Sequence, residues 1–407
     1  MKYLRMLFFC LVFFSWKTAT SQISEFYYNQ ALEYLKQGKN DSARVMFTES
    51  IRLDSSSSGA FSNRSVVYFN LKMYEEAIRD VDRAIQLDSQ NELAYNNKAW
   101  FLHQKGDYKG ALINYNKAIT IDSVYLSCYL NRGLLKQQIK LLSESEKDFK
   151  IALQINPENA AAFNLLGKTY FLGNKYNDAI DAYNKAIRIS PNYSDALYNR
   201  GEVRELLLDD IGAISDYFRI LEIDSSQYAA YYNIGNVYVR LKDPTRAMNY
   251  YNMAITINPN YSRAYHNRGF LKFYLKQYKA ALLDYTLAIK CDSTYAEAYR
   301  KRSNISDMLK DADGALQDLN KAIQFDPTNA DYLYSRSLLY VGKKKYKSAI
   351  LDLDKAILLN NKDHTYFFNR GIIKMELGEK EQGCKDFKSA LRLGDKKAQA
   401  ILNEYCK

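Results

Sequence analysis

The chain repeats itself every 34 residues. From Ser24, eleven units follow one another without insertion or deletion, starting at 24, 58, 92, 126, 160, 194, 228, 262, 296, 330 and 364 and closing at Lys397. A period of this length marks a supersecondary unit that cannot bury its apolar face alone, so the core is made by stacking neighbours. Numbering each unit 1 to 34 turns the sequence into an internal alignment whose columns have physical meaning.

Column 8 holds only Gly, Ala or Ser, as at Ala31, Ser65 and Gly133, so two backbones approach closely there. Columns 20 and 27 are Ala in nine units each, whereas columns 4 and 24 are large, as in Tyr95 with Tyr115 and Phe163 with Tyr183. Bulky side chains beside small ones are how helices interlock at the density of a protein interior. Columns 4, 7, 8 and 11 share one helical face and columns 20, 24 and 27 another, which predicts two helices per unit. Pro157, Pro191, Pro259 and Pro327 stand in column 32, after the second helix, and Pro244 stands in column 17, at the entry to one. Neither position requires the amide proton that proline lacks. A hydrophobic content of 47% with only 17 Gly and 5 Pro excludes a disordered or collagen-like chain.

These columns resemble the tetratricopeptide repeat (TPR) family over residues 24–397. The resemblance implies an all-α fold, an α-solenoid forming a right-handed superhelix of eleven helix pairs, with a groove lined mainly by first helices. It also implies a non-enzymatic scaffold that holds a protein or peptide segment. Lys136, Arg204 and Lys272 depart from the aromatic expected at column 11 and predict looser local packing. Residues 398–407 are expected to form a C-terminal capping helix.

Before the repeats, Lys2 and Arg5 precede the apolar run Met6 to Phe14, and small Ala19 and Ser21 lead into Gln22. This reads as a signal peptide over residues 1–21, too short in its apolar part to span a bilayer. The mature protein is expected to be secreted or periplasmic. Loss of Lys2, Arg5 and Lys17 lowers the formal charge from +11 to +8, a weak basic bias that does not call for nucleic acid.

Column 7 is Arg in seven units and column 23 is Asp in the same seven: Arg64/Asp80, Arg132/Asp148, Arg200/Asp216, Arg268/Asp284, Arg302/Asp318, Arg336/Asp352 and Arg370/Asp386. The other four carry Gln30/Met46, Lys98/Asn114, Leu166/Ala182 and Ile234/Tyr250. Columns that change together touch, so these are predicted ion pairs between the two helices of one unit.

Catalytic groupings are lacking in the sequence. His103, His266 and His364 lie in different units without ligand spacing, and there is no phosphate loop, nucleophile elbow or zinc-type cysteine pair. No cofactor or metal is expected. The recurrent polar feature is Asn at column 6: Asn29, Asn63, Asn97, Asn131, Asn199, Asn233, Asn267 and Asn369. A carboxamide both donates and accepts, so such a ladder can pair with peptide groups of an extended partner, or it can join neighbouring units. It resembles asparagine ladders of TPR superhelices that hold peptides by their backbone.

Columns 5 and 9 are expected beside it, with Tyr198, Tyr232, His266 and Arg300 at column 5 and Trp100, Lys168 and Glu202 among column 9. A carboxylate clamp is not expected, because Ser335 and Thr365 do not complete what Arg300 and Asn304 begin. Alternatives to a peptide-binding scaffold are a self-assembling envelope component and a glycan-binding solenoid. Among the cysteines, Cys384 and Cys406 lie on either side of a turn at Gly394 and Asp395, and an antiparallel helix pair would level them for a disulfide in an oxidising compartment. Cys128 and Cys291 are expected as buried thiols.

Overall fold

The computed structural model describes residues 20–406. The apolar run of the expected signal peptide lies outside them. Among the described residues there are 23 helices and no strand, beginning with a helix over 20–36. Each repeat from the second to the tenth places its first helix, here called A, on columns 1–13 and its second, B, on columns 17–30, as in Ser58–Asn70 and Tyr74–Leu87. The helices form two compact units that divide between Asp209 and Asp210. The first holds repeats 1–5 and helix A of repeat 6, Ser194–Leu206; the second begins with Asp210–Ile223, holds repeats 7–11 and ends on Lys396–Tyr405.

Within each unit every A helix packs on its own B helix and every B helix on the next A helix. Column 24 supplies the anchor, with Phe47, Tyr115, Phe149, Tyr183, Tyr251, Tyr285 and Phe387 no more than 1% exposed. Column 8 is small because that ring lies against it: a Cβ on Gly133, Gly167 or Gly235 would sit 2.6–2.7 Å from the ring of Phe149, Tyr183 or Tyr251.

Both connections recur along the chain, the first in every repeat and the second at every Asp or Asn of column 31. Between A and B, the column-15 residue adopts a positive φ in all eleven repeats, from 56° to 84°, although only Gly38, Gly106 and Gly378 are glycines. Its N–H donates to the column-12 carbonyl and the next N–H to the column-11 carbonyl, as in Gly38 to Leu35 at 3.0 Å and Lys39 to Tyr34 at 2.9 Å. These bonds satisfy the carbonyls that the end of helix A leaves open. Between repeats, the column-31 side chain accepts from the amide two residues on, as Asp88 does from Gln90 at 2.9 Å. Pro244 opens its helix, and Asp243 caps it by accepting from the Arg246 amide at 3.0 Å.

Six of the predicted Arg/Asp pairs lie within one unit, and all six are bidentate, with N···O distances of 2.6–2.9 Å. The seventh, Arg200/Asp216, has its members in different units. The sequence did not reveal the guanidinium's third contact. Nη1 donates to column 25 of the preceding repeat, which is Thr48, Asn116, Asn184, Asn252, Thr286, Asn320 or Asp354, at 2.6–3.2 Å. Each such Arg ties its repeat to the one before. Where column 7 is Lys98, its ammonium still reaches that column, at Asp82, over 2.8 Å.

The expected loosening at column 11 is corrected for Lys136 and Lys272. Each puts its ammonium 2.8 Å from the Asp already held by Arg132 or Arg268, so the aromatic is exchanged for a second cation on a buried carboxylate. Lys374 does the same at Asp386.

The capping helix begins at Lys396, two residues earlier than expected, because Asp395 caps it by accepting from the Lys397 amide at 2.9 Å. It covers Phe387 and Ala390 with Ala398, Ile401 and Leu402. A disulfide joins Cys384 to Cys406, whose Cα atoms are 5.7 Å apart. Cys128 is buried, and burial pushes its thiol up to about 12. Cys291, expected to be buried, is half-exposed at the end of Tyr278–Cys291, where the chain leaves the packed face.

Candidate functional site

The column-6 asparagines are placed by helix A on the side facing the preceding repeat, and most of their amide protons are already spent. Asn63 donates to the Tyr28 hydroxyl at 2.9 Å, Asn97 to the Ser62 hydroxyl at 3.2 Å, Asn131 to Asn96 Oδ1 at 3.1 Å and Asn199 to Asn164 Oδ1 at 2.9 Å. In the second unit Asn267 donates to the Tyr232 hydroxyl at 3.0 Å and Asn369 to that of Tyr334 at 3.3 Å. Each of these acceptors is column 5 of the preceding repeat; Asn267 also donates to Asn236 Oδ1 at 2.8 Å, and Asn63 and Asn369 also donate to the Gly59 and Thr365 carbonyls of their own helices. Of the two readings of the ladder, the geometry carries the contact between neighbours; Asn29, which has no preceding repeat, is exposed, and Asn233 is buried.

The expected recognition residues at column 5 are engaged by neighbouring side chains as well. Tyr232, His266 and Asn267 come together in the second unit, where His266 Nδ1–H donates to Asn267 Oδ1 at 3.0 Å. Burial holds the His266 imidazole below its ordinary pKa, against the opposing pull of Asn267 and Glu297. Arg300 is locked to Glu297 by bonds of 3.0 and 2.6 Å. Burial would raise the Glu297 pKa, but Arg300 and Lys301 hold it below the usual carboxylate range. Tyr198 hydrogen-bonds Glu202 in the first unit.

An open site lies instead on the A-helix face of the first unit, at the ends of Glu92–Gln104, Leu126–Gln138 and Ala160–Leu172. It is a pocket of about 420 Å³ lined by columns 9, 12 and 13 of repeats 3 to 5. Trp100, Leu134 and Leu172 give it apolar walls, and Gln104 and Lys168 stand exposed at its edge. Its floor is fixed by hydrogen bonds. His103 Nε2–H donates to Gln138 Oε1 at 2.8 Å, Gln138 Nε2 donates to the Tyr108 hydroxyl at 3.0 Å, and Gln137 Nε2 donates to the Thr169 hydroxyl at 2.9 Å.

Trp100 crosses His103 edge-on at 5.6 Å. Such a surface can take an apolar side chain against Trp100 and the leucines while Lys168 faces an anion. Trp100 and Lys168 were legible as column-9 variation; His103, Gln137 and Gln138 were not read as site residues, although polar side chains at column 12, where Phe69, Phe171 and Phe273 stand in other repeats, were a usable signal.

Profiles of the tetratricopeptide repeat match residues 28–92, 93–125, 228–261 and 330–363, and a profile described as TPR repeat matches 167–207. The chain belongs to the tetratricopeptide repeat family. A curated relative, the peroxisomal targeting signal receptor of Candida albicans (strain SC5314 / ATCC MYA-2876), is 42% identical over 53 residues, which is 13% of this chain and 9% of that receptor's length. Among solved structures, the yeast Tom70 is 13% identical with a TM-score of 0.47, covering 93% of this chain and 94% of its own. YrrB, described as a TPR protein with an unusual peptide-binding site, is 24% identical with a TM-score of 0.40, covering 46% of this chain and 97% of its own.

Among the described residues of this TPR chain, no helix is long and apolar enough to cross a membrane, and no group of three or more His, Cys, Asp or Glu is placed to hold a metal ion.

Proposed function

We propose that the protein is a non-enzymatic scaffold that holds a segment of a partner protein on the A-helix face of its first unit, with Trp100 and Lys168 as the principal contacts. The observation that carries this reading is the pocket itself: apolar walls, a floor fixed by hydrogen-bonded amides and a lysine at the rim, which is the composition of a site for an apolar side chain beside an acidic one. The asparagine ladder contributes by joining each A helix to the one before, which fixes their spacing.

The reading places this work outside the cytoplasm. The apolar run behind Lys2 and Arg5 supports it, as does the Cys384–Cys406 disulfide, a bond that persists in oxidising compartments. N-terminal sequencing of the protein from its source is expected to begin at Gln22; a chain retaining Met1 contradicts the placement.

A displayed library of random peptides, selected on residues 22–407, tests the binding. Enriched sequences are expected to pair an apolar residue with an acidic neighbour and to lose at least tenfold in affinity for the Trp100→Ala and Lys168→Glu variants. Absence of enrichment, or equal retention by both variants, rejects the assignment.

A further inference from the structure

A second pocket opens on a different face of repeat 5, and comparison with sister repeats shows what shape of group it takes. In repeat 2 the guanidinium of Arg64 lies between the rings of Phe61 and Tyr68, at columns 4 and 11, 5.4 Å from each centroid. In repeat 7 column 7 is Ile234, and the ring of Tyr250 from column 23 stands there instead. It is stacked 5.4 Å from Tyr238 at an interplanar angle of 7° and lies 6.5 Å from Tyr231 at 26°. Two columns of rings thus flank a planar group supplied from within the repeat.

Repeat 5 has both rings, Phe163 and Tyr170, but Leu166 at column 7 and Ala182 at column 23. Neither side chain is planar or long enough to lie between the rings, and the space over them is a pocket of about 450 Å³ that Lys150 and Lys185 also border.

We propose that this pocket binds an aromatic side chain of a partner protein. A guanidinium is disfavoured by the same comparison. The Arg-bearing repeats supply a column-23 carboxylate and a column-25 acceptor, whereas repeat 5 supplies Ala182 and, from the repeat before, Lys150. Lys150 is bonded to Glu146 at 2.7 Å and the Lys185 ammonium lies 5.6 Å from the Phe163 centroid, while Asp178 and Asp181 also border the pocket, so what a guanidinium lacks here is the carboxylate at column 23 that grips it between the rings in the sister repeats. The apolar floor matches that of repeat 7, where the occupant is a ring, and an aromatic group between two rings gains dispersion and offset-stacking energy.

N-acetyl-phenylalaninamide, N-acetyl-leucinamide and N-acetyl-argininamide, titrated into residues 22–407 and followed by saturation-transfer NMR, test the proposal. The phenylalanine amide is expected to bind saturably, at least fivefold more tightly than the other two. Ala182→Tyr should weaken it at least tenfold by placing the chain's own ring in the pocket, as Tyr250 does in repeat 7. The triple change Lys150→Thr, Leu166→Arg, Ala182→Asp, which rebuilds the repeat-2 arrangement of Thr48, Arg64 and Asp80, should do the same if the first variant fails to fold. Equal or tighter binding of the leucine or arginine amide, no saturable binding, or undiminished binding by the folded variants overturns it.

Discussion

Arg336 grips Asp352 through two parallel bonds of 2.8 and 2.7 Å, while its remaining amino group donates to Asn320 of the preceding repeat at 2.7 Å. Arg268 does the same with Asp284 and Asn252, but there Lys272 adds a second cation to the carboxylate at 2.8 Å. The two sites should respond differently to losing the arginine. Arg336→Leu leaves a buried carboxylate without a cation and should cost about 3–5 kcal/mol, whereas Arg268→Leu, with Lys272 still in place, should cost about 1.5–3 kcal/mol less, on the scale of one hydrogen bond to a charged group. Adding Asp352→Ala to Arg336→Leu should recover much of the loss, as Leu166 with Ala182 do in repeat 5. Urea unfolding of the single and double variants measures the coupling, and a coupling near zero refutes the pairing.

Gly167→Ala should destabilise by roughly 1–3 kcal/mol, the cost of overpacking a filled interior. The added Cβ would sit 2.6 Å from the Tyr183 ring. Thermal melting checks it; an unchanged midpoint would show that the ring moves aside freely.

Lys72 and Lys344 hold φ values of 62° and 56° at the A-to-B turn. Glycine adopts that conformation without the Cβ clash, so Lys72→Gly and Lys344→Gly should each raise stability by up to about 1 kcal/mol, the usual size of backbone-compatibility effects. Denaturant midpoints that fall instead would show that the lysine side chains contribute more than the backbone strain costs.

His266 carries a pH dependence of definite sign. Its pKa in the folded chain lies below the ordinary 6.5 because of burial, so as pH falls below 6.5 the unfolded chain takes up a proton before the folded one does. Stability is therefore fully present above 6.5 and declines through the interval down to the folded pKa. Arg300 and Lys301 add to the depression, and Glu297 opposes it. His266→Gln should flatten the melting midpoint between pH 7.5 and 5; an unchanged slope contradicts the assignment.

The capping disulfide closes a loop of 22 residues, for which the chain-entropy treatment gives roughly 3 kcal/mol. Non-reducing peptide mapping should recover Cys384 linked to Cys406. Under native conditions iodoacetamide should label Cys291 and leave Cys128, whose thiol is pushed up to about 12, unmodified. Labelling of Cys128, Cys291, Cys384 and Cys406 alike without reductant would contradict this.

The architecture was legible because eleven copies in one chain make each structural need visible as a column. The Arg/Asp contact was readable because both columns are restricted to one residue type when paired. Its third member was not: Thr48, Asn116 and Asp354 serve as acceptors in the same place, so the requirement is for an oxygen and not for a residue. The positive φ at column 15 is hidden for a similar reason. The turn's hydrogen bonds impose it on Lys72 or Leu208 as on Gly38, and no run of glycines announces it. At column 6 the sequence shows a carboxamide but not who takes its protons, since that depends on column 5 one repeat earlier, where Tyr28, Ser62 and Asn96 all offer an acceptor. The pocket at Trp100 combines columns from three repeats, and only their stacking shows that Gln137 and Gln138 fix its floor.

Removing residues 1–21 takes Trp16 with them and leaves Trp100 as the single tryptophan, so its emission reports directly on the A-helix pocket. Titration of a library-selected peptide into this chain should shift Trp100 emission saturably, and Lys168→Glu should weaken the apparent affinity at least tenfold without changing the melting midpoint. A peptide that binds with unaltered Trp100 emission, or equally well to the Lys168→Glu chain, would contradict the assignment of this face as the partner-binding site.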